Sequence, residues 1–321
     1  MTKTNTLLNY AGLQNFGNTC YLNSVIQAMY FCESFRNQVL SYKCDKENLL
    51  TTLSELYKQM NGNIPGKQNG IVHPKRFYNC LCMHNEIFNN DNEHDAHEFF
   101  NYILNNIADL VQNDLKHTSC NVNWVYDLFQ GVMTNETTCL CCENISTKDE
   151  FFIDLSLEVE SNISIYFALK NFSKKELMCA DSKYFCNVCK CKQEAKRRIR
   201  IKKPPKLLAL HLKRFKYQDS LRRFTKLNYK VSFSQELRFP NLIGEKYNKL
   251  YKLIACVAHC GLTISSGHYL TFVRQGNGWL LFDDNAVENL PYWNIESFFG
   301  GSTNMPTRSE TGYILFYQQT I

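Results

Sequence analysis

From Cys20 the apolar residues recur at three- and four-residue spacing, with Val25, Ile26, Met29 and Tyr30 on one stripe, and the pattern runs to about Leu56. That period predicts helix, and Asn18 and Thr19 ahead of it are residue types that cap helices. A helix therefore begins beside Cys20. Residues 61–70, NGNIPGKQNG, form a polar Gly/Pro/Asn loop, and the run from His94 to Asn106 reads as a second amphipathic helix. After about residue 124 the period changes. FQGVMTNETTC, EFFIDLSLEVE, KLLALHLKRF, YKVSFS, YKLIACVAHCG, HYLTFVRQ, GWLLFDD and GYILFYQ are short β-branched or aromatic runs separated by turn residues, which predict strands of a mainly antiparallel sheet. Helices first and strands later specify an α+β class, and no repeat of roughly 20–50 residues is present.

Composition narrows the function. With 321 residues, 44% hydrophobic and 21% charged, the chain has the make-up of a folded globular protein. No signal peptide core and no stretch of about 20 apolar residues occurs, so the expected location is intracellular, cytoplasmic and/or nuclear, with no membrane partner. Fifteen cysteines in a long chain without an export signal point to thiol or metal chemistry, not to a disulfide framework. The net charge of +6 is too mild to specify nucleic acid, although KCKQEAKRRIRIKKPPK, from Lys190 to Lys206, carries nine basic residues and one Glu. That run has neither aromatic interleaving nor a recognition motif, and it reads as a solvated strand and turn.

The turn GNTC places Cys20 at a helix N-terminus, where unpaired N–H groups and the helix dipole favour thiolate. A cysteine alone is more often a small buried hydrophobe. Catalysis also needs a base and a group to orient it. His268, in SSGHYLTF, supplies the first, and Asp283, at the end of the next strand pattern, supplies the second. Asn15, five residues before Cys20, is a side-chain donor for an oxyanion hole together with the Cys20 backbone N–H.

GLQNFGNTCYLNSVIQAMY resembles the cysteine box of the ubiquitin-specific proteases, and GHYLTFVRQGNGWLLFDDNAV followed by GYILFYQ resembles their histidine box. HDAHEFFNYILN, LALHLKRFKY and RRFTKLNYKVSF match intermediate blocks, so the similarity covers roughly residues 10–318. Within the family, NSVIQAMYFCESFR and SSGHYLTFV are most similar to the branch of the human ubiquitin-specific proteases twelve and forty-six. The resemblance implies a single papain-like catalytic domain over 1–321, with a helical thumb (about 1–123), zinc-bearing β fingers (about 124–205) and an antiparallel-sheet palm (about 206–321). It implies hydrolysis of the bond after the C-terminal glycine of ubiquitin, with Cys20 as nucleophile, His268 as acid/base, Asp283 as orienting carboxylate, Asn15 as oxyanion donor and Asp284 assisting. A catalytically silent ubiquitin-binding scaffold of the same fold is the alternative. One departure is visible: where the family commonly has two glutamines, this chain has Glu93 and His94.

Cys139 and Cys142 form one CxxC pair and Cys186 and Cys189 another, the four thiolates that a structural tetrahedral zinc needs. With 43 residues between the pairs, zinc would clip two distant hairpins together. Cys141 and Cys191 lie near enough to be confused with these ligands, but neither completes a CxxC as economically. Residues 262–268 have the small-residue composition of a mobile loop lining a cleft, and residues 217–228 resemble the family's other cleft-covering loop or a polar exposed turn. The resemblance further implies ubiquitin conjugates as substrates and WD40-repeat proteins as activators.

Overall fold

The helical stretch breaks where its apolar stripe does. The computed structural model describes residues 10–61, 70–90, 92–116, 122–219, 222–240, 242–244, 249–261, 267–290 and 310–320. The single helix expected from Cys20 to Leu56 is three: α1 (Cys20–Phe31), α2 (Glu33–Ser41) and α3 (Leu49–Met60). Cys32 leaves helical geometry (φ −73°, ψ 89°), and the segment 43–47 is exposed throughout. Asn48 then restarts the helix with a capping box, accepting from the Thr51 N–H while its own N–H donates to the Thr51 hydroxyl. Two short helices follow in the first half, α4 (Lys75–His84) and, after the long α5 (Ala96–Leu115), α6 (Trp124–Phe129). The helix α5 outruns its sequence expectation because Ile107, Ala108 and Val111 continue the buried stripe. Among the described residues no helix is long and apolar enough to cross a membrane.

The main sheet runs in the order Ala286–Leu290, Gly278–Asp283, His268–Gln275, Tyr251–Cys260, Thr311–Gln319, Leu207–Lys213, Asp154–Glu158, with Glu236–Leu237 added beside Tyr251. Its pairs are antiparallel except the last, where Leu207–Lys213 runs parallel to Asp154–Glu158. LLAL and IACVA are continuous apolar runs because both faces are covered. Leu207, Ala209, Ala255 and Val257 face α1 to α6, whereas Leu208, Leu210, Cys256 and Ala258 face a second core with Val231, Phe233 and the helix α7 (Ile165–Phe172). The helix α7 went unread because IYFALKNF is short and aromatic enough to pass for a strand.

A second sheet pairs Ile145–Phe152, Gly131–Cys139, Ala195–Lys203 and Glu176–Met178 in that order. The segment 124–205 is thus not all in this sheet: Asp154–Glu158 alternates buried leucines (Leu155, Leu157) into the main sheet, and α7 packs behind it. The basic run is the strand Ala195–Lys203. Arg198 Nε donates to Glu136 at 2.5 Å, and Lys202 Nζ donates to Asp149 at 2.5 Å, so cross-strand pairing absorbs part of its charge. Around 217–228 the strands Phe215–Gln218 and Arg223–Lys226 pair antiparallel. Residues 62–69, 220–221 and 262–266 of the expected loops lie outside the described residues.

Candidate active site

Gly17 and Asn18 both take left-handed backbone (φ 94° and 55°), which turns the chain so that α1 starts at Cys20. Thr19 occupies the N-cap without capping. Its hydroxyl accepts from the Phe16 N–H (3.0 Å) and donates to Asn15 Oδ1 (2.9 Å), which also accepts the N–H groups of Gly17 (2.9 Å) and Thr19 (3.1 Å). The positive end of α1, at Cys20, is left without a side-chain cap. Nearly every side chain of α1 is buried, so the helix is a central strut, and Cys20 is only 3% exposed.

The partners arrive from residues more than 240 positions away. The strand Tyr251–Cys260 pairs with His268–Gln275 and that with Gly278–Asp283, which sets His268 and Asp283 at the same sheet end. His268 Nε2 donates to Asp283 Oδ1 at 2.6 Å, leaving Nδ1 toward Cys20. The hydrogen bond with Cys20 and then that with Asp283 push the imidazole pKa up to about 9 against the opposing effect of burial. A protonated imidazole beside the sulfur favours an ion pair. Thr271, one turn of pleat further, donates to the Ser24 carbonyl at 2.7 Å and ties this strand to α1.

Asp284 begins the two-residue turn into Ala286–Leu290 with left-handed backbone (φ 48°). One carboxylate oxygen accepts from Asn15 Nδ2 and the other from Asn23 Nδ2, both at 2.8 Å, while the Asp284 carbonyl accepts the Leu13 N–H at 2.8 Å. Gly12 permits this approach: a Cβ there would stand 2.4 Å from the Asn285 carbonyl oxygen. The structure thus brings together Cys20, His268, Asp283, Asp284 and Asn15. Asn23 was missed by the sequence reading; its signal was an amide three residues along a helix whose other positions are mostly apolar.

The four finger cysteines also converge. The sulfurs of Cys139, Cys142, Cys186 and Cys189 lie within 4.8 Å of one another, with Cys142 to Cys186 at 3.6 Å, close to the roughly 3.8 Å edge of a tetrahedral zinc thiolate. Each CxxC is followed by a residue in left-handed backbone, Glu143 and Lys190 (both φ 57°), so the two knuckles are alike. The Cys189 N–H donates to the Cys186 sulfur at 3.5 Å, and with the Val188 N–H pulls that thiol down to about 7. No described cysteine is in a disulfide, and Cys141 and Cys191 are outside this cluster and exposed. The donor set fits a structural zinc.

A thiol against an imidazole and a carboxylate, at a sheet end facing a helix N-terminus, defines a cysteine hydrolase. The sequence profile described as Ubiquitin carboxyl-terminal hydrolase matches residues 11–317, and the chain belongs to that family of cysteine-type deubiquitinases. It is 47% identical to Ubiquitin carboxyl-terminal hydrolase 12 of Salmo salar and 42% identical to Ubiquitin carboxyl-terminal hydrolase 46 of Caenorhabditis elegans, each covering 96% of this chain and 89% of the relative. Among solved structures, a SAGA DUB module of Ubp8, Sgf11, Sus1 and Sgf73 bound to monoubiquitin superposes with a TM-score of 0.82 at 26% identity, covering 98% of this chain and 70% of that one. The same module bound to ubiquitin aldehyde gives 0.82 at 25% identity, with the same coverage.

Proposed function

We propose that this deubiquitinase works through a Cys20 acyl-enzyme. The observation that carries the assignment is the His268–Asp283 hydrogen bond of 2.6 Å on an imidazole that also bonds Cys20. The Cys20 thiolate attacks the carbonyl of the ubiquitin C-terminal glycine, and the tetrahedral oxyanion takes hydrogen bonds from the Cys20 N–H and Asn15. Asn15 Nδ2 has two N–H groups; Asp284 holds one and thereby aims the other. Imidazolium His268 protonates the leaving amine, and as neutral base it then activates the water that hydrolyses the thioester.

Hydrolysis of a fluorogenic ubiquitin C-terminal amide by wild type, Cys20→Ala and His268→Ala tests this. Loss of turnover in both variants, with ubiquitin binding kept, is expected; turnover that survives Cys20→Ala would sink the assignment. A silent scaffold would bind ubiquitin while Cys20 stayed inert to a ubiquitin electrophile.

Zinc on Cys139, Cys142, Cys186 and Cys189 would hold the finger hairpins, a purely structural contribution. The expected metal content is one zinc per chain by elemental analysis. The solved relatives are bound to ubiquitin and partner subunits, which supports a partner-stimulated enzyme here. WD40-repeat proteins are the proposed class, from the likeness to the twelve and forty-six branch. Turnover unchanged on adding such a protein would count against it.

A further inference from the structure

The two positions that depart from the family's glutamines lie at the join of three elements. His94 packs edge-on against Tyr21, the residue after Cys20, at 5.3 Å, and against Phe88 at 5.1 Å. Asp95 caps α5 through the N–H groups of His97 and Glu98, and its other oxygen accepts from the Tyr313 hydroxyl on the strand Thr311–Gln319. Glu93 reaches the third element: its Oε2 accepts the Gly267 N–H at 2.8 Å.

That last contact falls at the weakest point of the strand bearing His268. His268 makes the terminal register pair with Cys260, and a terminal pair is where a ladder frays. Gly267, just beyond it, is pressed on its other side: a Cβ would stand 2.3 Å from His259 Nε2 and 2.5 Å from the Cys260 carbonyl oxygen. The glycine is therefore held between the buried His259 ring and the Glu93 carboxylate. A backbone N–H to a carboxylate is a charge-assisted bond, stronger than the same bond to an amide.

We infer that Glu93 is a positioning residue for the reaction, its carboxylate clamping Gly267 so that His268 is fixed in reach of Cys20. This rests on the assignment of His268 as the acid/base. Glu93 acts on the backbone, so its loss shows in the chemical step and not in ubiquitin affinity.

The test is kcat and KM for ubiquitin-amide hydrolysis by the full chain as wild type, Glu93→Ala, Glu93→Gln and Glu93→Asp, with Cys20→Ala as control. Glu93→Ala lowers kcat about tenfold with KM within about twofold. Glu93→Gln, which keeps an acceptor at the same reach but makes the weaker amide bond, recovers part of that kcat. Glu93→Asp, which keeps the charge one methylene short, falls with Glu93→Ala, and it carries the comparison should the alanine variant fail to fold. A wild-type kcat in Glu93→Ala, a loss confined to KM, or Glu93→Asp outperforming Glu93→Gln overturns the inference. Wild-type turnover that is absent, or that persists in Cys20→Ala, instead overturns the catalytic assignment beneath it.

Discussion

Replacing Asp283 with Asn isolates what the orienting carboxylate does. The substitution keeps the shape and removes the charge from a 2.6 Å bond to His268 Nε2. A charge-assisted hydrogen bond contributes about 1.5–3 kcal/mol. Here the Asp283 side chain is 50% exposed and His268 37%, so water screens the pair and the lower part of that range applies, about 1.5–2.5 kcal/mol. At about 1.36 kcal/mol per decade the loss in kcat/KM is about 10- to 70-fold. Asp284 does not substitute, because both of its oxygens are engaged by Asn15 and Asn23. The sign of the pH effect follows from the same bond. Asp283 favours imidazolium, which helps hold the His268 pKa at about 9, so its removal brings the alkaline fall of activity to lower pH. The assay is kcat/KM for ubiquitin-amide hydrolysis from about pH 6 to about pH 10, which reports the free enzyme. Asp283→Asn within about threefold of wild type, or an alkaline limb that does not move, refutes the reasoning.

Gly12→Ala forces a methyl onto the Asn285 backbone, and about 1–3 kcal/mol of stability is lost by urea unfolding, with turnover reduced as the Asp284 turn shifts. Cys186→Ser removes one sulfur of the finger cluster; zinc content falls and Tm drops by roughly 5–10 °C, and an unchanged Tm would argue against a metal clip. Burial holds His211 down to about 2 and His259 down to about 3, against an ordinary value near 6.5. The unfolded chain then binds more protons below about pH 6.5, so stability falls on acidification by up to about 1.4 kcal/mol per pH unit for each group. Urea midpoints at about pH 6.5 and pH 5.5 show that slope, and His211→Gln reduces it.

Cys20 and the finger cysteines were legible because their role is set by near neighbours in the chain, whereas the roles of His268, Asp283 and Asp284, which depend on partners far away in sequence, were carried by the likeness to the family. Gly17 and Asn18 dictate a turn, an apolar stripe follows, and Cys20 between them has one place to go. The paired CxxC motifs are equally local, each a knuckle with its own left-handed residue. What escaped depends on contacts no period reveals. Arg214 is fully buried with no carboxylate partner among the described residues, donating to the carbonyls of Gly312, Leu227 and Tyr229. Asn23 takes its role from Asp284, 261 positions later, a contact that no local pattern shows. The loop between α2 and α3 was lost because helical spacing resumes nearly in phase across it.

The same long-range contacts bear on how a partner would stimulate the enzyme. Thr271 on Ser24, Leu13 on Asp284 and Glu93 on Gly267 tie the cysteine helix to the histidine strands. His268 is already bonded to Asp283 and Cys20. An activator of such a chain acts on access, on the docking of ubiquitin or on the triad itself. Cys20 is 3% exposed, so access is one step that an activator can change. Activation by widening the approach accelerates both ubiquitin turnover and alkylation of Cys20 by a small neutral reagent. Activation by improved docking of ubiquitin at the fingers accelerates turnover and leaves alkylation alone. Measuring both rates on one preparation, with and without the partner, separates the two, and a change in the alkaline limb on adding the partner would show that the triad itself had been rebuilt.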